Sequence, residues 1–483
     1  MSSEQQLKKA LGASQYFTLA FGTIIGVAWV VVMGDWLNQA GPMGAILAFA
    51  LGGLVMIMIG QCYAEISVMV PSPGGLLAWG YQNFGQKTGF VLGWLISMSC
   101  IAVTSFEAVS LGWIASALFP SIEGPVLYTA FGHPVRLGGL LLGLGMMALI
   151  TLFNYRGAKS SGIFQDLLTY SKTGLALIFM IVGLLWGSAA HLEPLFRRSG
   201  TGSIWPGVLA VFLTAPFWFG GFDVIPQVIG EKSSGTNLKV VGRMIVLSLA
   251  IGAAFYILAI LATSMTMPWE QLIGLNLPVA TAFEKAFNAS WLAKLILVAG
   301  GLGTITAWNG VFVSGSRLLF NMGKGHIITP ALARVHPVFG SPSTAVLFVG
   351  ALGACGVLVG RSAILPIVNA TSACFAFSYL IVCLCVIKMR RTHPERPRPY
   401  RVPGGLVTAT AAALAALFIV VLSLYQPYAG ANGQIPLEWI ILAIMIVLGA
   451  VFWALAGKVR NAISEKERRS LIIGLEEQAV GYD

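Results

Sequence analysis

The chain has 483 residues, of which 57% are hydrophobic and only 10% charged, and its mean hydropathy of +0.83 excludes an ordinary soluble globular domain and points to an all-α polytopic membrane protein. A formal net charge of +11 would suit a nucleic-acid partner, but Lys and Arg alternate with the apolar stretches, which is how a membrane protein is oriented. The expected partners are therefore the lipid bilayer and a small-molecule substrate, with no nucleic acid.

The start "MSSEQQLKKALGAS" lacks the apolar core and cleavage site of a secretory signal, so the first helix is expected to stay as an anchor. Residues 1–14 are read as a cytoplasmic tail. Runs long enough to cross a hydrocarbon core of about 30 Å fall at 15–37, 43–70, 89–118, 137–154, 164–187, 205–229, 241–266, 291–320, 343–360, 363–388, 405–425 and 437–456, which predicts twelve spans. With the N-terminus inside, the cytoplasmic side receives Lys8, Lys9, Lys87, Arg156, Lys159, the group from Lys232 to Arg243, Arg334, the cluster from Lys388 to Arg401 and the basic tail 457–483. Arg317 and Lys324, on the eighth span and its following loop, read as inner-face anchors. The outer side keeps Arg136, Arg197, Arg198, Lys285, Lys294 and Arg361. Both termini are expected in the cytoplasm, and the compartment is the bacterial inner (plasma) membrane.

All six cysteines lie in or beside apolar spans with no CxxC, so free, packed thiols are expected. The five histidines, at 133, 191, 326, 336 and 393, fall in predicted loops, and no metal or other cofactor is expected.

Two spans are interrupted. In "FGTIIGVAW" (21–29), Gly22 and Gly26 sit where a membrane helix should be most regular, and in "PFWFGGFD" (216–223) a Pro and a Gly pair break the sixth span. Glycine in membrane helices also serves close packing. Two breaks five helices apart instead suggest an inverted repeat, in which discontinuous helices meet near the midplane and their freed backbone groups bind substrate.

Four further stretches carry a resemblance. They are "CYAEISVMVPSPGG" with "YQNFGQKTGFVLGW" (62–94), "NYRGAKSSGIFQ" (154–165), "NGVFVSGSRLLFNMGKGHIITPALARVHPVFGSP" (309–342) and "RPRPYRVPGG" (396–405). In that order they resemble the amino acid-polyamine-organocation permeases, from about residue 12 to about residue 405. The resemblance implies a leucine-transporter-like 5+5 inverted repeat with broken helices 1 and 6, working by alternating access. On that frame 15–187 is the first repeat, 205–388 the inverted repeat, 405–456 the two peripheral helices and 457–483 a cytoplasmic tail.

The same resemblance implies that the amides of the first break, at Ile24, Ile25, Gly26 and Val27, bind a substrate carboxylate, as helix N-termini favour anions. Here the family's third glycine is Ala28, followed by a bulky Trp29. Phe217 matches the aromatic position that covers the substrate from outside. Trp218 stands where relatives often have a small residue; it is either an ordinary packed tryptophan or the wall of a small cavity. Carbonyls near Phe217, Trp218 and Gly220 can accept from a substrate ammonium.

Charges near the midplane are costly and usually functional. By the resemblance, Glu65 and Asp223 match positions within the family's recurring motifs at or near cytoplasmic helix ends, which implies a gating or scaffold role rather than substrate contact. Glu107 is deeper; it pairs with a substrate amine, carries a proton, or bonds neighbouring hydroxyls. Asn309 is either packing glue or a site residue, and Asp35, at the outer end of the first helix, faces water near the entry path. Lys172, roughly 12 Å below the inner end of its span at 1.5 Å per residue, is at the limit of snorkelling. By the resemblance it takes the place of a bound sodium ion and couples transport to the proton.

The function these readings select is a secondary active transporter (permease) that imports an amino acid or closely related small amine; no GxxxxGK[ST] nucleotide motif exists, so the coupling energy is expected from an ion gradient or from exchange. A membrane enzyme would need clustered ligands within the spans, which the loop histidines do not supply. The alternative is a permease or exchanger for amines lacking a carboxylate, such as polyamines or ethanolamine. Symport versus exchange and the oligomeric state stay open.

Overall fold

A computed structural model describes residues 11–474 other than 73, 132, 234, 431 and 432. The predicted tail residues 1–10, with Lys8 and Lys9, and 475–483 lie outside the described residues. In a hydrocarbon solvent every backbone amide and carbonyl must find a partner within the chain, so apolar runs of this length become helices. The chain runs α1 (Ala13–Ile24), α2 (Ala28–Val31), α3 (Met33–Ala40), α4 (Pro42–Met69), α5 (Gly75–Phe84) and α6 (Gln86–Leu118). Strands β1 (Val126–Ala130) and β2 (His133–Arg136) follow, then α7 (Leu137–Tyr155), α8 (Ala158–Trp186), α9 (Trp205–Phe212), α10 (Ala215–Trp218), α11 (Val224–Gln227) and α12 (Leu238–Ser264). The rest comprises α13 (Trp269–Leu272), α14 (Pro278–Phe287), α15 (Ser290–Lys324), α16 (Ser343–Val357), α17 (Ile364–Thr392), α18 (Leu406–Gly430), α19 (Leu437–Leu455), α20 (Gly457–Arg460) and α21 (Glu465–Ile473).

Among the described residues ten helices are long and apolar enough to cross a membrane, while Trp205–Trp218 and Ser343–Val357 are shorter apolar helices. The chain is thus a nearly all-helical polytopic membrane protein. Among the described residues the all-α expectation is corrected where β1 and β2 pair as antiparallel strands, and His133 lies on the second strand rather than in a loop. Tyr128 on the first strand donates to the Leu358 carbonyl at 2.5 Å, which ties the strand pair down beside α16. A second correction concerns the thiols. All six cysteines are free, but Cys355 is exposed while the other five are buried.

Helices α6 and α15 are largely buried, whereas α19 is mostly exposed, so the former pair forms the centre and the latter the rim. The first helix, α1, packs against α8, α12 and α15. Close approach is needed where α15 crosses the first break: a Cβ on Gly303 would sit 2.5 Å from the Gly26 carbonyl oxygen, so only glycine fits there.

One end of the molecule is tied by ionic and backbone links. Glu65 is buried at the foot of α4 and accepts from Arg390 Nε at 2.8 Å and from the Val402 amide at 2.7 Å, with Arg398 Nε at 3.4 Å. Arg317, on α15, makes a buried pair with Glu231 at 2.9 Å, and the Leu11 amide donates to the Glu231 carbonyl at 3.0 Å. Helix α21 docks at the same end through Ser72, whose hydroxyl donates to the Ile472 carbonyl at 2.8 Å. Beside it burial, and then the hydrogen bond to Glu465, push the Tyr81 hydroxyl up, which keeps it a donor.

Candidate functional site

The first break follows from local sequence. Helix α1 ends at Ile24, Ile25 leaves the helical region at φ −90° and ψ 78°, and the helix resumes only at Ala28. The carbonyls exposed by such a break must be satisfied from elsewhere. Lys172, on α8, reaches in from the side: its Nζ donates to the Gly22 carbonyl at 2.7 Å, to Thr306 Oγ1 at 2.6 Å and to the Ile25 carbonyl. Thr306, on α15, also lies 3.0 Å from the Gly22 carbonyl. The Tyr256 hydroxyl, from α12, donates to the Ile24 carbonyl at 2.7 Å. Three side chains from three distant helices thus hold the opening.

The second break closes on itself. Pro216 has no amide to donate, and the Gly220 amide turns back to the Phe217 carbonyl at 3.1 Å. Gly221 has φ +129°, a conformation open to glycine, and its amide donates to Asp223 Oδ1 at 2.8 Å. The Trp218 indole donates to Thr214 Oγ1 at 2.7 Å. The two breaks touch: a Cβ on Gly221 would lie 2.7 Å from Thr23 Cβ. Tyr256 bridges them, since its hydroxyl is also 3.3 Å from the Trp218 carbonyl.

Between the breaks lies a cavity of about 30 Å³, room for about two waters. Of the sequence-derived residues, Ile24, Gly26, Val27, Glu107, Phe217, Trp218 and Gly220 line it. Asp223 lines it as well, although the sequence reading put it near a helix end in a gating or scaffold role. The remaining wall is largely apolar, with Val103, Phe106, Ala307, Val311 and Phe375. Two carboxylates face the space and, among the described residues, no Lys or Arg lines it. Glu107 is 3% exposed and its Oε2 has no partner among the described residues.

Three residues named from the sequence stand elsewhere. Ile25 does not line the cavity; its carbonyl faces Lys172. Asn309 donates to Gln165 Oε1 at 3.0 Å and accepts from Asn154 at 3.1 Å, in a polar knot among α7, α8 and α15. Glu65 belongs to the ionic cluster with Arg390 and Arg398. Sequence reasoning missed Tyr256, Thr306 and Phe106. Tyr256 had a signal, because a tyrosine within the apolar run of α12 needs a partner for its hydroxyl. Thr306 and Asn309 are three residues apart on one helix face, so the pair was visible as a polar stripe.

A family model described as amino acid permease matches residues 11–452. The chain is 27% identical over 429 residues to the branched-chain amino acid permease BcaP of Bacillus subtilis, covering 87% of this chain and 89% of that one. It is 28% identical over 414 residues to the methylthioribose transporter of the same organism, covering 83% and 86%. It is 27% identical over 476 residues to the human Asc-type amino acid transporter 1, covering 96% and 86%.

Proposed function

We propose a function from one premise: the chain belongs to the amino acid permease family. The reading is a secondary active transporter that imports an amino acid by alternating access on a twelve-span, 5+5 inverted-repeat frame, with both termini cytoplasmic in a bacterial inner membrane. The substrate carboxylate meets the first break at Gly26 and Val27, and its ammonium meets the second-break carbonyls and Glu107. The apolar wall of Val103, Phe106, Phe217 and Trp218 suits a short apolar side chain. The branched-chain amino acid permease among the relatives agrees with an apolar side chain.

The observation that carries this reading is the seat of Lys172. Its ammonium sits among the Gly22 and Ile25 carbonyls and Thr306, where α1, α8 and α15 meet and where a coupling cation would be expected. A proton on Lys172 holds the first break in its present shape; its loss frees those carbonyls and lets α1 move. Proton movement and the shape of the substrate site are thereby linked through the same backbone atoms.

A second reading is a permease for amines lacking a carboxylate. It is favoured by the two carboxylates, Glu107 and Asp223, that face one cavity without a lining cation. Uptake of labelled amino acids and amines into proteoliposomes, with and without an imposed pH gradient, separates the two. Accumulation of a neutral amino acid that collapses with the gradient is the expected outcome. Strict sodium dependence, or uptake of amines alone, overturns it.

A further inference from the structure

A larger cavity, about 330 Å³, lies on the Asp35 side of the breaks among α3, α9, α17 and α18. Trp218 lines both this vestibule and the small central cavity, so one indole separates them. Its edge meets Trp36 of the vestibule with ring centroids 5.3 Å apart.

The vestibule holds unpaired acceptors beside the side-chain amides of Gln39 and Gln426. Asp35 is half-buried, and among the described residues its carboxylate has neither a hydrogen bond nor an ion pair. Ser423 is 9% exposed and its hydroxyl has no partner among the described residues. Pro427 lies inside α18, and a proline supplies no amide to the carbonyl four residues before it, here that of Ser423. Asn369 already gives its amide hydrogen to Glu438 at 3.0 Å, so a second acid stands behind the wall. No Lys or Arg lines the space among the described residues. A pocket with an unpaired carboxylate and spare acceptors favours a cationic donor.

We propose that this vestibule is a second, separate binding site, for the ammonium group of an amine-bearing solute held on Asp35 with Ser423, before the solute passes Trp218. The solute's identity as cargo rests on the transport reading; the binding site does not. The central cavity is too small to hold such a solute in the present conformation, whereas the vestibule has room for one together with waters.

The test uses the purified full-length protein and three probes of one shape: L-valine, isobutylamine, which lacks the carboxylate, and isovalerate, which lacks the ammonium. Calorimetric titrations are run on Gly26→Leu, in which the central cavity is filled, and on that variant carrying Asp35→Asn or Ser423→Phe, with thermal melts confirming the fold. L-valine and isobutylamine are expected to bind Gly26→Leu and isovalerate not to bind. Asp35→Asn should weaken binding about tenfold or more, as losing one charge-assisted hydrogen bond does. Ser423→Phe should abolish it with the carboxylate still present. If Gly26→Leu does not fold, the second binding step of the parent, and its loss in Asp35→Asn, gives the same reading. Absence of amine binding, equal binding of isovalerate, or affinity unchanged in both pocket variants overturns the site. Vestibule binding in a protein that takes up no amino acid overturns the transport reading alone; uptake without Asp35-dependent binding overturns the site alone.

Discussion

The two breaks solve one problem in different ways. In the first, the carbonyls of Gly22, Ile24 and Ile25 are capped by Lys172, Thr306 and Tyr256, brought from α8, α15 and α12. In the second, Pro216, Gly220 and Gly221 turn the chain with local hydrogen bonds, and Asp223 accepts from an amide two residues before it. The first opening therefore exists only while three other helices stay in place, whereas the second is held mainly within residues 214–223, with Tyr256 reaching only the Trp218 carbonyl. A part held from outside is suited to move when its holders change, and a self-contained turn is suited to stay rigid and present a fixed wall.

The most severe test of the first break is Gly26→Leu. A Cβ alone would lie 3.0 Å from Glu107 Oε1 and 3.1 Å from Ala307 Cβ, and a leucine fills the cavity. High-affinity binding at the central site should vanish in a folded protein, as read by labelled-substrate binding beside a thermal melt; unchanged central affinity would mean that the solute does not approach this backbone.

Lys172→Ala comes next. It leaves the Ile25 carbonyl without its donor and the Gly22 carbonyl with Thr306 alone, at a cost of about 1–3 kcal/mol for a buried group left unpaired, so a lower melting temperature is expected. Uptake driven by a pH gradient should be lost while binding and counterflow exchange persist. Full gradient-driven accumulation in the alanine variant would remove Lys172 from the coupling step and make the two breaks equally passive.

Glu107→Gln keeps the side chain's size but removes its charge, facing Gly26. Uptake should fall about tenfold, the worth of one hydrogen bond to a charged group, with expression unchanged. Should uptake and its pH profile match the parent, Glu107 serves only packing.

The smallest effect is expected at the rigid wall. Trp218→Ala removes the indole between the cavity of about 30 Å³ and the vestibule of about 330 Å³, and a competition assay should show larger side chains gaining rank while the parent's substrate loses some affinity. An unchanged rank order of competitors would show that Phe217 and Phe106 set the size limit instead.

Much of this was legible in the chain because it depends on local composition. Apolar runs with few charges dictate membrane-crossing helices wherever the run lies, and Gly26, Pro216, Gly220 and Gly221 mark the interruptions by their own backbone preferences. The motifs between residues 62 and 405 placed the chain in its family before any contact was known. Tertiary structure alone decided which side chains meet at those interruptions. Lys172 and Gly22 are 150 residues apart, and a lysine in an apolar run could as well have snorkelled to the surface; only the packing of α8 on α1 aims it at the break. Asp223 reads as a helix-end acid in sequence, yet the turn at Gly221 swings it into the cavity. Asn309 reads in sequence as either packing glue or a site residue, and Gln165 and Asn154 hold it in a polar knot away from the cavity. The vestibule has no sequence signature, because it is the space left among four helices whose crossing fixes both its volume and the isolation of Asp35. Backbone preference is a property of a few neighbouring residues and can be read in order; the direction of a side chain and the shape of a cavity belong to helices far apart in the chain, and exist only once these are packed.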